Sequence, residues 1–379
     1  MLGEEADSPR GRIQLIRALV ATDAPPEDRV VGHLEACLVC RACETACPSG
    51  VPFGRIMEGA REVVRERRPL RGPAGALRRM GLGTIANAGR LSRIAWLTDL
   101  YARSPLRAVV ARAAPRALAW ASSLAPKREG APFALAERAD ADTCLFAGCV
   151  MRQAFGESGR ATVRVLEKSG RRVSAPGEQV CCGALHAHAG DGDGARELAR
   201  LNIDAFSGSD APIVVNAAGC GAHLKAYGEL LVDDPAWRDR ARAFSRRVRD
   251  ASEVAVPIAR RAPRPLRVVY QDACHLAHGQ RIRTRPRALL RAVDGVTLVE
   301  IEDAERCCGS AGIYNLTQPA ISAELQRQKV ERILAARPDV VVSANPGCML
   351  QIAAGLAAAG SRVPVVHLMR FLDDPAAFA

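Results

Sequence analysis

Cys181-Cys182-Gly183 returns as Cys307-Cys308-Gly309, 126 residues further on. The agreement extends to both sides of the triplet. Cys149 has its counterpart in Cys274, and Gly219-Cys220 in Gly347-Cys348, at offsets of 125 and 128. Landmarks that keep step this closely mark an internal repeat, so residues 142–260 and 265–379 read as two homologous lobes. Within them short β-branched runs (Thr143–Phe146, Ile213–Val215, Arg267–Tyr270, Val296–Ile301, Val340–Val342) alternate with helical stretches. That alternation predicts α/β lobes with mainly parallel strands.

The repeated cysteines fall just after these runs and just before helices. Thr143–Phe146 leads to Cys149, Ile213–Val215 to Cys220, and Val340–Val342 to Cys348. Carboxyl ends of parallel strands are where ligands sit in open α/β sheets. Helix N-termini there favour thiolates and anionic clusters. Adjacent glycines let backbone amides approach sulfur closely. A buried cysteine is often plain core, and Cys144, alternating inside a run, reads that way. A core has no use for the same Cys-Cys-Gly triplet twice, so Cys149, Cys181, Cys182, Cys220, Cys274, Cys307, Cys308 and Cys348 read as metal ligands. A vicinal redox disulfide is the rival reading.

Upstream, Cys37, Cys40, Cys43, Cys47 and Pro48 form C-x2-C-x2-C-x3-C-P, the spacing of bacterial ferredoxin-type [4Fe–4S] binding. A zinc site would use separated pairs. In two-cluster ferredoxins the fourth cysteine serves the other cluster, and the chain holds no second such motif. Either Cys47 closes its own cluster, or a partner motif is expected upstream of a truncated start. Ser8-Pro9 reads as a helix N-cap and first turn. Residues 1–60 are therefore taken as a helical ferredoxin-like part.

Thirteen cysteines in 379 residues, without a secretory h-region, point to a reducing, cytoplasmic setting and to metal or redox use rather than a disulfide framework. No apolar run reaches transmembrane length. The net charge of +12 is local: residues 51–130 hold 16 basic and 5 acidic residues. Residues 61–140 read as a basic helical linker region punctuated by Pro73, Pro105 and Pro115, with Lys127–Gly130 as the joint to the first lobe. This stretch is a solvated linker, or a docking surface for an acidic flavoprotein or for anionic lipid at the inner face of the membrane. Nucleic acid is the weakest partner, because stacking aromatics are only 4% of the chain. No P-loop, dinucleotide glycine motif or Ser-His-Asp arrangement is evident, and no catalytic residue is assigned. Hydride abstraction would need flavin on another subunit.

The segments CLVCRACETACPSGV, NAAGCGAHLKAYGELL, DACHLAHGQ, CCGSAGIYNLTQP and NPGCMLQIAAGL resemble the iron–sulfur subunits of glycolate oxidases. Their lobes are similar to the CCG domains of heterodisulfide-reductase type. The resemblance covers nearly the whole chain. It implies an electron-transfer subunit that works with FAD-bearing partners oxidising glycolate to glyoxylate and passes electrons to an acceptor such as a membrane quinone. It also implies at least one [4Fe–4S] cluster, with further clusters in the lobes. Such subunits carry two ferredoxin motifs, where this sequence has one. The wider family ends each lobe in C-x-x-C; here the second cysteine is His223 in one lobe and Gln351 in the other. His223 is weighed as a substitute ligand or, more often for a lone histidine, a packing residue. His186, His188, His275 and His278 could tune a cluster or be ordinary helix residues. A thiol–disulfide reductase, a zinc-stabilised scaffold, and the equivalent subunit of a lactate or glycerol-3-phosphate dehydrogenase are the alternative functions.

Overall fold

The structure is a computed structural model that describes residues 3–379; Met1 and Leu2, the head of the 1–60 part, lie outside the described residues. Ser8 caps the first helix, α1 (Pro9–Val20), its hydroxyl accepting from the Gly11 amide at 2.9 Å. Helices α2 (Asp28–Glu35), α3 (Ala42–Ala46) and α4 (Phe53–Arg67) follow. Ile16, Leu19, Leu34, Met57 and Val64 close on one another in a small core of their own.

Four more helices come next: α5 (Gly72–Ala86), α6 (Ala88–Arg103), α7 (Leu106–Ala113) and α8 (Arg116–Ser123). Pro73 occupies the first turn of α5, while Pro105 and Pro115 stand immediately before α7 and α8. These are positions where a missing N–H costs nothing. The Lys127–Gly130 joint is pinned rather than free. The Arg128 amide donates to Asp99 (2.8 Å), the Glu129 amide to the Ala154 carbonyl (2.8 Å), and Ser158 Oγ to Glu129 Oε2 (2.6 Å).

The remainder is a repeated α/β unit. Strands β1 (Thr143–Phe146), β2 (Val173–Ser174), β3 (Ile213–Val215) and β4 (Val248–Asp250) form one parallel sheet in the order β2-β1-β3-β4. Strands β5 (Arg260–Gln271), β6 (Val293–Val299), β7 (Val340–Ser343) and β8 (Val365–His367) form a second with the equivalent order β6-β5-β7-β8. The five expected strands are present, Thr143–Phe146 and Ile213–Val215 with the expected bounds and the other three with shifted ends. The third starts seven residues earlier than its β-branched run, because Pro263 and Pro265 hide it. Its register against β6 slips between Arg261 and Leu266 around those prolines, as a strand with missing donors must. The short edge strands β2, β4 and β8 carry too few residues to show a period.

β1, β3 and β7 are buried along their whole length, as parallel strands covered on both faces are. Side chains alternate between two cores. Leu145 and Val214 pack into one shared with Val268, Val341 and Phe371 of the second lobe. Cys144, Phe146, Ile213 and Val215 pack into another with Phe206, Tyr227 and Phe244. Polar joints lock the lobes together. His367 Nε2 lies 2.7 Å from the Asn216 carbonyl, the Gly219 amide donates to Asn345 Oδ1 (3.1 Å), and Arg164 and Lys168 both hold Asp373. Among the described residues no helix is long and apolar enough to cross a membrane.

Leu145 is fully buried in an inner strand of the core shared by both lobes. Leu145→Ala is expected to cost about 2–5 kcal/mol, read as a lower urea midpoint at unchanged slope for the cooperative loss of both lobes.

Candidate metal centres

The strand-to-helix crossings after β1, β3, β5 and β7 each bring a thiol to the same end of the sheets. Cys149 opens a helix after β1, where Gly148 turns the chain at φ +67°. Cys220 lies in the first turn of the helix Ala218–Lys225 after β3. Cys274 precedes the π-helical turn His275–Gly279 after β5, and Cys348 lies in the first turn of the helix Pro346–Ala358 after β7. The triplets supply the remaining thiols from loops. Their glycines are required by geometry. Gly183 and Gly309 sit at φ +86° and +90°, and a Cβ on Gly309 would meet the Ser322 carbonyl at 2.5 Å.

The outcome is one cavity of about 440 Å³ whose wall holds all eight repeated cysteines. Cys149 and Cys181 are 3.6 Å apart and Cys182 and Cys220 3.3 Å apart at sulfur. Asn345 Nδ2 donates to Cys348 Sγ at 3.4 Å, and the Gly309 amide to Cys307 Sγ at 3.4 Å. Cys144 faces the apolar core instead. Among the described residues, no three histidine, cysteine or acidic side chains gather tightly enough for a single ion. The thiols surround a space, which suits a multi-iron cluster in which each thiolate binds its own iron.

Electrostatics agrees with that assignment. The thiol of Cys274 is raised by its hydrogen bond with Cys307 and by burial, and Cys149 by its hydrogen bond with Cys181 and by burial. Such thiols give up their protons only when metal brings compensating positive charge.

The ferredoxin-like loop stands next to this cavity. Cys37, Cys40 and Cys43 line a second cavity of about 1130 Å³, and Leu38 and Cys307 belong to the walls of both. Burial, with Cys274 next, pushes Cys40 up to about 12, and burial with Cys40 pushes Cys43 up to about 11. Cys47 does not line this wall. Its partly exposed sulfur is lowered by hydrogen bonds from the backbone of Val51, Ser49 and Gly50.

The residues that replace the second cysteine of C-x-x-C have other occupations. Gln351 is fully buried; its Nε2 donates to Ser322 Oγ (3.0 Å) and its Oε1 accepts from Asn315 (3.2 Å). His223 packs edge-on to Tyr227 and lines a separate cavity with Glu58, His188 and His275, not the thiol cavity. Burial lowers His223 to about 4, so it stays neutral. The other histidines are joints. His188 stacks on His275 at 5.3 Å, His275 Nε2 lies 3.1 Å from the Val39 carbonyl, and His278 Nδ1 lies 3.0 Å from Thr45 Oγ1. They tie the ferredoxin-like loop to the lobes. Glu58, 2.8 Å from His188 Nδ1, carried no signal in the sequence. Loss of water pushes it up, but the His188 hydrogen bond and the neighbouring His188, His223 and His275 together outweigh this and bring it down to about 2.

Helices α6 and α8 cover the thiol cavity: Thr98, Ala121, Leu124 and Ala125 complete its wall, and Trp120 Nε1 donates to the Asn315 carbonyl at 2.7 Å. The basic region is thus a roof over the thiols as well as a connection.

A family model described as "Cysteine-rich domain" matches residues 143–225 and 268–353. The chain is 35% identical to the "Probable glycolate oxidase iron-sulfur subunit" of Bacillus subtilis (strain 168), over 98% of this chain and 89% of that one. It is 32% identical to the "Glycolate oxidase iron-sulfur subunit" of Escherichia coli (strain K12), over 99% of this chain and 89% of that one. The "Lactate utilization protein A" of an Exiguobacterium strain is 30% identical over 62% of this chain and 97% of that protein.

Cys308→Ser is expected to lower iron and acid-labile sulfide by about four atoms each per chain, one cubane, whereas Cys144→Ser leaves both unchanged. Metal analysis of anaerobically purified chains distinguishes the two.

Proposed function

The chain belongs to the glycolate oxidase iron–sulfur subunit family, and on that footing we propose that it is the electron-transfer subunit of a flavin-dependent glycolate oxidase complex. Partner subunits carrying FAD oxidise glycolate to glyoxylate, releasing two electrons and two protons per molecule. This chain accepts the electrons and delivers them to an acceptor such as a membrane quinone. Clusters of the [4Fe–4S] type, held by Cys37, Cys40, Cys43 and Cys47 in the ferredoxin-like part and by four cysteines in each lobe, supply one-electron transfer. Residues 1–60, 61–140, 142–260 and 265–379 act as the ferredoxin-like part, the roof and the two lobes.

The observation that supports this reading best is the continuity of the thiol walls. All eight lobe cysteines share one cavity, and Leu38 and Cys307 join it to the wall that holds Cys37, Cys40 and Cys43. A relay needs neighbouring centres sheltered from water. A disulfide reductase needs an open approach for a bulky substrate. Here α6 and α8 roof the thiols over, and His223 and Gln351 stand where that class carries a fifth cysteine.

The outer face of the roof supports a place for the acceptor. Leu77, Met80, Trp96, Leu97, Leu100, Leu106 and Val109 are exposed on α5–α7. Residues 72–123 carry eight arginines against one acidic residue, Asp99. Apolar side chains flanked by arginine suit an anionic bilayer, where the chains enter the headgroup boundary and the guanidinium groups reach the phosphates. This face rests on the inner surface of the cytoplasmic membrane.

Two measurements test the proposal. In the reconstituted complex, Cys308→Ser is expected to abolish glycolate-driven quinone reduction while the flavin subunits still reduce an artificial dye. Disulfide reduction by the isolated wild-type chain with an artificial electron donor would overturn the reading. In flotation, the chain is expected to rise with phosphatidylglycerol vesicles and not with phosphatidylcholine vesicles. Trp96→Ser with Leu100→Ser should lower the floated fraction at least about tenfold, since each change removes about 1.5–3 kcal/mol of apolar burial. Flotation unmoved by this pair would exclude the face.

A further inference from the structure

The two lobes share a fold but not a charge. Gly183 abuts Ala195 and Gly309 abuts Ser322 in the equivalent place, so the helices Gly192–Ala205 and Pro319–Ala335 correspond at an offset of 127. At that offset Asn202 of the first lobe answers to Lys329 of the second. Both side chains run beneath the loop that leads into the Cys-Cys-Gly triplet. Asn202 Nδ2 donates to the Cys181 carbonyl at 2.9 Å, and its Oδ1 accepts from the Val180 amide at 3.0 Å. Lys329 Nζ donates to the carbonyls of Asp303 and Ala304, both at 2.9 Å. The task of holding the loop is the same; one lobe does it with a neutral amide and the other with an ammonium.

Lys329 is 1% exposed, and among the described residues no carboxylate lies within ion-pair distance of it. Asp272, the buried acid of this lobe, is held on both oxygens by Arg287 at 2.8 and 2.6 Å. Asp303 offers Lys329 its carbonyl, while its carboxylate pairs with Arg332 (3.2 Å) and Arg306 (3.6 Å). An unpaired buried cation is costly. Burial lowers Lys329, and the neighbouring sulfurs of Cys308, Cys307 and Cys348 act against that lowering; an anionic cluster on those thiolates would be answered by the charge of Lys329. Asn202 offers the first lobe no such charge.

We propose that Lys329 sets the order of reduction, its ammonium favouring the extra negative charge of the reduced second-lobe centre so that this centre fills before that of the first lobe. The inference rests on the electron-transfer reading above. It assigns unequal roles to two sites that the repeat makes look alike: the lobe in contact with Cys40 holds the electron more tightly.

Electron-paramagnetic-resonance redox titration of the anaerobically purified full chain tests this, with the lobes distinguished by a Cys182→Ser variant that lacks the first-lobe centre. Lys329→Gln keeps a donor and removes the charge. It is expected to lower the second-lobe midpoint by about 59 mV, a tenfold change in a one-electron equilibrium, and to leave the first lobe unmoved. Lys329→Arg should stay near wild type. Unmoved midpoints in Lys329→Gln, or equal shifts in Gln and Arg variants, would overturn the role of charge. Should Lys329→Gln fail to fold, the wild-type order decides, and first-lobe reduction ahead of the second defeats the proposal. Clusters present with unmoved potentials defeat the role of Lys329 alone, whereas a chain without iron and sulfide defeats the functional reading with it.

Discussion

A thiol held away from water keeps its proton unless positive charge is brought to it, and this chain gathers eight thiols round one cavity and three more beside it. Most of the architecture follows from that constraint. Parallel strands deliver Cys149, Cys220, Cys274 and Cys348 to one end of the sheets. Left-handed glycines at 183 and 309 fold the Cys-Cys loops over them. Without metal the cavity would be a set of mutually repelling or protonated sulfurs.

Containment matters as much as ligation. Helices α6 and α8 supply part of the cavity wall, and the histidine joints hold the ferredoxin-like loop against the second lobe. A cluster shielded in this way exchanges electrons with a neighbour more readily than it reacts with a substrate. The same roof turns an apolar, arginine-rich face outward. One helical layer thus faces the thiols on its inside and carries exposed apolar side chains and arginines on its outside.

Repetition supplied the two lobes, and they depart from symmetry at particular positions. His223 and Gln351 stand at matched positions, yet one packs beside a carboxylate–histidine group and the other completes an amide network. Asn202 and Lys329 likewise hold corresponding loops, one with a neutral amide and the other with an ammonium. Small substitutions on a duplicated frame can make two chemically similar centres unequal without altering the path between them.

The sequence by itself determined the repeat, the parallel α/β character of both lobes and which cysteines belong to the landmarks, because local spacing and β-branched runs encode these directly. It also separated Cys144 from the other cysteines, since a residue inside a strand alternates into the core. Strand ends around Pro263 and Pro265 and the short strands β2, β4 and β8 were not legible, as two or three residues carry no period and pairing partners are distant. Only the tertiary structure decided that the cysteines of both lobes share one cavity, that α6 and α8 contribute to its wall, and that Glu58 and Lys329 lie among buried polar groups. Those facts depend on which surfaces meet across one to three hundred residues of chain. Such meetings are fixed by packing and by the cost of burying charge, and no local pattern records them.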